Sequence, residues 1–207
     1  MIITITREFG SGGREIGKKV ADRLGIKFYD KELLQEAAKE SGFNKKFFER
    51  NDEHKGFLKV LFSSFAPIFG NSDPYANQLS DESLFKFQSD AIRKAANEGS
   101  CVFVGRTADY VLRDYKNTIN IFITANMDQR IQRVCKRFDL DRAAARKFIK
   151  GHEDERASYY NYYTGKRWGH AESYDLCINS SLLGIEETER FIARFVRCRF
   201  GINDHTK

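Results

Sequence analysis

Four residues between an apolar strand and an amphipathic helix, Gly10-Ser11-Gly12-Gly13, restrict this chain more than any other feature. Ile2 to Thr6 alternates β-branched residues, and the segment Arg7-Glu8-Phe9-Gly10-Ser11-Gly12-Gly13-Arg14 reads as a tight loop after that strand. Ile16, Val20 and Leu24 then recur at helical spacing beside Ala21, and Gly25 falls where a C-terminal cap belongs. A glycine-rich turn that opens a helix aims unpaired backbone N–H groups and the positive end of the helix dipole at one point, a ready site for an anion. Glycine suits the place because a side chain would block a phosphate and disfavour positive φ. The plainer alternative is an ordinary strand-to-helix turn; the strand before and the helix after favour phosphate.

Downstream the chain keeps alternating. Ile26 to Tyr29 reads as a short strand, and Leu33, Leu34, Ala37 and Ala38 mark one face of a helix, which gives a strand–helix–strand unit of βαβ length. From Phe43 to Asn77 the sequence turns Phe-rich, Lys-rich and weakly periodic, with Pro67 and Pro74, and is read as a helical insertion. Ser80 is the expected N-cap of a helix through Leu84, Ala91, Ile92 and Ala95 to Gly99, with Asp81 and Glu82 in its first turn. Cys101 to Val104 makes a strand that ends on Gly105-Arg106. Ile119 to Thr124 makes another, followed by Asn126 and Gln129 in capping-box spacing and a helix carrying Ile131, Val134, Cys135 and Phe138. Such alternation predicts a parallel sheet. Asp139 to Trp168, with Tyr159, Tyr160, Tyr162 and Tyr163 clustered before Thr164-Gly165, reads as a second insertion. Tyr174 to Asn179 supplies a last strand, and Phe191, Ile192, Phe195 and Val196 one face of a closing helix.

With 207 residues, 41% of them hydrophobic and 31% charged, the chain can bury a core and suits one α/β domain with insertions. No apolar stretch reaches the eighteen or so residues of a membrane span and no cleavage site follows the N-terminus, so a cytoplasmic protein with no membrane partner is expected. Cys101, Cys135, Cys177 and Cys198 lie far apart without metal-ligand spacing, so no metal site is assigned and they read as small apolar residues of a reducing compartment. A net charge of +6 favours an anionic partner: nucleic acid, a phosphate-bearing small molecule, or none beyond solvent.

A literal phosphate-loop frame, Gly12-x-x-x-x-Gly17-Lys18, puts its lysine well inside the predicted helix and is followed by Lys19 instead of Ser or Thr. Setting Gly10-Ser11-Gly12 on the last glycines of the frame is better placed. Gly13 then stands at the lysine position and Arg14 at the Mg²⁺-ligating hydroxyl position. Arg130, Arg133 and Arg137 fall at i, i+3 and i+7, one stripe beside the apolar face of their helix, which can hold a transferring phosphoryl group or be a solvated basic face. Arg106 after a strand sits at the C-terminal sheet edge where open α/β folds bind ligands, with a structural salt bridge as the alternative; Asp30 and Lys31 end the second strand the same way. Glu153-Asp154-Glu155-Arg156 orders a mobile segment or pairs within a helix, and Trp168 and the tyrosines stack on a base or simply pack.

Taken together, Ile3-Thr4-Ile5-Thr6 with Gly10-Ser11-Gly12, Phe28-Tyr29-Asp30, Val104-Gly105-Arg106 and Ile121-Phe122-Ile123-Thr124-Ala125 resemble the nucleoside monophosphate kinases, cytidylate kinases most of all. Arg7 to Ile16, Tyr163-Thr164-Gly165-Lys166-x-Trp168 and Tyr174-Asp175-Leu176 resemble a bacterial group called cytidylate kinase-like. The resemblance implies a three-layer P-loop NTPase fold: a five-stranded parallel sheet in a single domain whose core is 1–40, 88–138 and 169–207, with a helical monophosphate-binding insertion near 41–87 and a helical lid near 139–168. It implies phosphate binding by Gly10, Ser11, Gly12, Gly13 and Arg7, and contact of Arg106 with the nucleoside monophosphate. It further implies phosphate contacts from Arg130, Arg133, Arg137 and Arg156, and an acidic nucleoside ligand at Glu153 or Asp154.

The implied activity is ATP-dependent phosphorylation of a nucleoside monophosphate or similar small acceptor, with ATP as cofactor and Mg²⁺ left open. Gly13 and Arg14 are the departure from the pattern. A lost transition-state cation costs on the order of 3 kcal/mol unless Arg7, Arg14 or Lys18 substitutes. A non-catalytic nucleotide sensor is therefore the second reading. Nucleic-acid binding ranks third, since no nucleic-acid motif accompanies the charge. The apolar run Phe57-Leu58-Lys59-Val60-Leu61-Phe62 is core or a homo-oligomer surface.

Overall fold

The computed structural model describes residues 1–30 and 78–202. Lys31, the helix expected from Leu33, the greater part of the insertion near 41–87 and the apolar run at 57–62 lie outside the described residues. Strand β1 (Ile2–Arg7) leads through the glycine loop into α1 (Gly13–Leu24), which Gly25 ends in the left-handed conformation before β2 (Lys27–Tyr29). Helix α2 (Gln78–Asn97) precedes β3 (Cys101–Val104), a single turn α3 (Ala108–Val111) and β4 (Thr118–Thr124). Then come α4 (Met127–Phe138), the long α5 (Arg142–Thr164), a 3₁₀ turn at Ala171–Ser173, β5 (Leu176–Asn179) and α6 (Ser180–Phe200).

Five strands form one sheet in the order β2-β3-β1-β4-β5, and every pairing is parallel. β1 lies at the centre, with β3 on one side and β4 on the other, so the crossovers diverge at its C-terminal end. That divergence opens the crevice where parallel α/β sheets take ligands. Ile3 and Ile5 point to one face, where they join Ile16, Val20, Ile121, Ile192 and Val196. Each such fully buried side chain stabilises by about 1.5–3 kcal/mol. Ile2 points to the other face, where α2 contributes Phe87 and Ile92, α3 contributes Val111, and Leu112 follows as its C-cap. A separate small core joins Ile131 and Val134 of α4 to Ala145 and Ile149 of α5. Gly17 lets α1 approach the sheet: a Cβ there would lie 2.8 Å from Val104 Cγ2, so this glycine serves packing and Lys18 beside it pairs with Asp22 on the exposed face.

Several local expectations change. Ser80 lies inside α2, because Gln78 and Leu79 are good helix formers that carry the helix upstream of it. Asn126 is the N-cap of α4 but makes no side-chain cap bond; its Oδ1 accepts from Asn179 Nδ2 instead. The buried face of α6 is Thr188, Glu189, Ile192, Ala193 and Val196, while Phe191 is exposed. The kink at Gly184 (φ +75°, ψ 176°) lies one turn before that buried face begins at Thr188. Phe138 is likewise exposed beside buried Ile131 and Val134. The cysteines are free thiols: Cys101 is buried, which pushes its pKa up to about 11, but Cys177 and Cys198 are exposed and do not pack as core. No described helix is long and apolar enough to cross a membrane.

Candidate active site

Gly10 (φ +79°) and Gly12 (φ +80°) both take the left-handed conformation, which gives the loop its shape. Ser11 between them is fully buried and turns inward: its Oγ donates to the Glu8 carbonyl (3.0 Å), and its own carbonyl accepts from Ser180 Oγ (2.7 Å). Ser180 also donates to the Thr124 carbonyl (3.2 Å), so one hydroxyl ties the loop to the end of β4 and the start of α6. Arg133 Nη1 donates to the Gly10 carbonyl (3.1 Å), and Ile185 packs so closely on Gly12 that a Cβ there would sit 2.2 Å from its Cδ1. The cradle is thus held in shape by the protein's own bonds.

Arg130 is 3% exposed and spends its whole guanidinium inside the protein. Nε donates to the Phe9 carbonyl (2.9 Å), Nη1 pairs with Glu8 Oε2 (3.1 Å) and Nη2 with Glu153. Glu8 Oε2 in turn accepts from Thr124 Oγ1 (2.5 Å) and Ala125 N (3.0 Å). Burial pushes the Glu153 carboxyl up, against the pull of Arg130. A buried charge keeps its place only with such partners, so Arg130 is the hub that binds loop, β4 and α5 together.

Three more arginines meet at the C-terminal ends of β1 and β3. Arg156, on α5, donates from Nη1 to the Arg7 carbonyl (3.0 Å) and lies over the Phe9 ring at 5.2 Å. Burial lowers its pKa to about 10; Glu153 opposes the shift, and the nearby Arg130 and Arg106 add to it. The Arg7 side chain runs alongside Gly13 and over Gly105: Cβ atoms built on those glycines would lie 2.7 Å from Arg7 Cβ and 2.1 Å from Arg7 Nη1. Gly105, Arg106 and Thr107 all have positive φ (+83°, +62° and +51°). For the latter two, which are not glycine, this costs of order 1–3 kcal/mol each and marks a turn that the surrounding structure holds. Arg106 Nη1 reaches Gln88 Oε1 at 3.5 Å.

Helix α5 closes the site with one face. Phe148 and His152 pack on Phe9 of the loop, His152 stacked at 4.6 Å, while Glu153 and Arg156 reach the core as described. One turn on, the buried Tyr160 donates its hydroxyl to Asp109 Oδ2 (2.7 Å). Burial raises the pKa of Asp109 and of Tyr160, and pushes Tyr174 up to about 12. Sequence reasoning missed Glu8, Asp109 and Ser180 as organising residues. Glu8 stood inside a quoted motif, but nothing in the spacing of Asp109 or Ser180 announces a partner 51 or 169 residues away.

The expected residues therefore separate. Gly10, Ser11, Gly12, Gly13, Arg7, Arg106 and Arg156 come together, with Arg133 supporting the loop. The stripe of Arg130, Arg133 and Arg137 does not act as one face, because Arg130 turns inward and Arg137 is exposed over Phe138. Arg14 pairs with the buried Asp30 (2.6 Å), so those two expected site residues hold each other. Glu153 serves Arg130, whereas Asp154 points outward to Lys150. The acidic cluster is mid-helix, and Trp168 packs its edge on Phe122.

Residues 2–182 match the cytidylate kinase-like family. The chain belongs to that family. It is 26% identical to a cytidylate kinase of Pyrococcus horikoshii over 182 residues, 87% of this chain and 80% of that one. It is 25% identical to a cytidylate kinase of Methanopyrus kandleri over 197 residues, 91% and 89% of the two chains. Among solved structures, an uncharacterized protein from Eubacterium ventriosum is 30% identical with a TM-score of 0.71, covering 95% of this chain and 98% of that one. A shikimate kinase from Bacteroides thetaiotaomicron shares the fold at 15% identity and a TM-score of 0.52, with 95% and 98% covered. The architecture is the P-loop NTPase fold, which the shikimate kinase shares, and membership of the family makes it a nucleotide-kinase type of scaffold.

Proposed function

We propose that this chain is a phosphotransferase that moves the γ-phosphoryl group of ATP to a nucleoside monophosphate. The observation that carries the reading is Arg106, held in a strained left-handed turn at the sheet edge and close enough to Arg156 for the two charges to repel. Like charges kept together around a glycine cradle favour a polyanion, and phosphoryl transfer is catalysed chiefly by positioning and charge neutralisation. The loop from Gly10 to Gly13 supports the ATP phosphates in this reading, while Arg106 and Arg156 hold the acceptor and transferring phosphates. The names of the relatives make cytidine monophosphate the first acceptor to try.

The residues do not fit a protein-ligated Mg²⁺ at the usual place. Position 14 offers a guanidinium tied to Asp30 where the frame has a hydroxyl, and no described cluster of acidic, His or Cys residues replaces it. The same pair favours, as a second reading, a nucleotide sensor without turnover. A panel of nucleoside monophosphates with ATP and Mg²⁺, followed by ADP release, separates the two. Saturable turnover that falls a hundredfold or more in Arg106→Met, with its melting temperature kept, supports the kinase. Nucleotide binding with no turnover for any acceptor leaves the sensor.

A further inference from the structure

The phosphate-loop frame is G-x-x-x-x-G-K-[ST], and with its second glycine on Gly12 its first glycine falls on position 7 and its lysine on position 13. This chain carries the two residue types the other way round: a cation, Arg7, at the glycine position and a glycine, Gly13, at the lysine position. In space the two positions compete. Any side chain at position 13 would begin 2.7 Å from Arg7 Cβ and 3.0 Å from Arg7 Cγ, inside contact distance. Arg7 then continues across to β3, where a Cβ on Gly105 would collide with Nη1 at 2.1 Å and Cζ at 3.0 Å. Two glycines thus line the course of one arginine, and its backbone carbonyl is fixed by Arg156.

We propose that Arg7 performs the phosphate-binding task of the P-loop lysine, delivering the charge from the end of β1 where the usual frame delivers it from the start of α1. The proposal rests on the kinase reading above. An arginine in a narrow slot is a preorganised planar fork that grips two phosphate oxygens at once, where a lysine is a flexible point charge. In the transfer itself the bond from the γ-phosphorus to the β,γ-bridging oxygen breaks, a bond from that phosphorus to an acceptor phosphate oxygen forms, and ADP departs with the electron pair. Arg7 stays protonated throughout and neutralises the charge gathering on the bridging side. The specificity follows: the site should prefer ligands with a polyphosphate chain, ATP, ADP and inorganic tripolyphosphate, over AMP.

The test uses the full chain as wild type, Arg7→Met, Arg7→Lys, Gly13→Lys and the exchange variant Arg7→Gly/Gly13→Lys. Calorimetry reads the binding of ATP, AMP and tripolyphosphate, and ADP release reads turnover. Arg7→Met should lose about a hundredfold in ATP and tripolyphosphate affinity while AMP binding changes little. Arg7→Lys keeps the charge and the stem, guards against a folding defect, and should fall between. Gly13→Lys alone should be worse than wild type because it collides with Arg7, and the exchange variant should recover at least tenfold over Arg7→Met. Wild-type affinity and turnover in Arg7→Met, or a gain in Gly13→Lys alone, would overturn the role of Arg7 and leave the kinase reading standing. A wild type that binds neither ATP nor tripolyphosphate would overturn both.

Discussion

The chain carries two clusters of charge, and they are built differently. Between α1 and α6, Lys19, Arg23 and Arg197 line a cleft with Asp22, Glu186 and Glu189, cations and carboxylates in equal number. Arg23 meets the buried Glu189 with two bonds (2.5 and 3.1 Å), and Lys19 meets Glu186 at 2.8 Å. At the sheet edge, Arg7, Arg106, Arg130, Arg133 and Arg156 gather around Glu8 and Glu153 among the described residues. The first cluster balances its charge and needs nothing from outside. The second sets five cations against two carboxylates, and burial lowers the pKa of Arg156 within it; under the kinase reading such an excess awaits an anion.

Removing the hub of the second cluster should have the largest effect on stability. Arg130→Met leaves the partly buried Glu8 and Glu153 together without their cation, a loss of about 3 kcal/mol. That corresponds to roughly 6–12 °C in a thermal melt for a chain of this size, and turnover should fall with it. A variant that melts with the wild type would end the view of Arg130 as the organising residue. Arg23→Met is the matched change in the first cluster. It strands Glu189, but Arg23 is 41% exposed and water screens the pair, so about 1–2 kcal/mol is expected, with nucleotide binding unchanged. Weakened ATP binding in that variant would blur the distinction between the clusters.

A pH series examines the floor of the site. Burial raises the pKa of Asp109 in the folded state, so above the ordinary carboxylate value the native chain holds a proton that the unfolded chain has released. Stability contributed by this group is therefore present at low pH and lost as pH rises through the raised value. Asp109→Asn can still accept from Tyr160 and has no proton to lose, so its melting temperature should gain on the wild type as pH goes from about 4 to 7. Parallel profiles would show that the carboxyl titrates as it does in the unfolded chain. Least of all is expected from Lys19→Met, whose partner Glu186 is exposed: no measurable change in melting temperature. A clear drop there would give the balanced cluster more weight than its exposure suggests.

Much of the sheet could be read directly. β1, β3 and β4 begin and end within a residue of where alternation and apolar runs place them, because a strand buried on both faces writes a local signature. The glycine loop, the cap at Gly25 and the return of Arg106 to the sheet edge were legible for the same reason. The arginine stripe was not. Helical spacing places Arg130, Arg133 and Arg137 on neighbouring positions, but whether each turns to a carboxylate, a carbonyl or solvent depends on Glu8 and Glu153, which come from other elements.

By itself, the sequence determined the parallel α/β frame, the glycine loop after the first strand, and the absence of lysine and hydroxyl from their usual places. Tertiary structure alone decided which cations meet at the sheet edge and which are paired elsewhere. Local pattern records period and turn chemistry, which are properties of neighbouring residues. Burial and pairing are properties of distant ones. Arg14 and Arg7 look equivalent on either side of the glycines, yet the fold gives Arg14 to Asp30 and lays Arg7 along the slot between Gly13 and Gly105, and that contact spans 98 residues of chain.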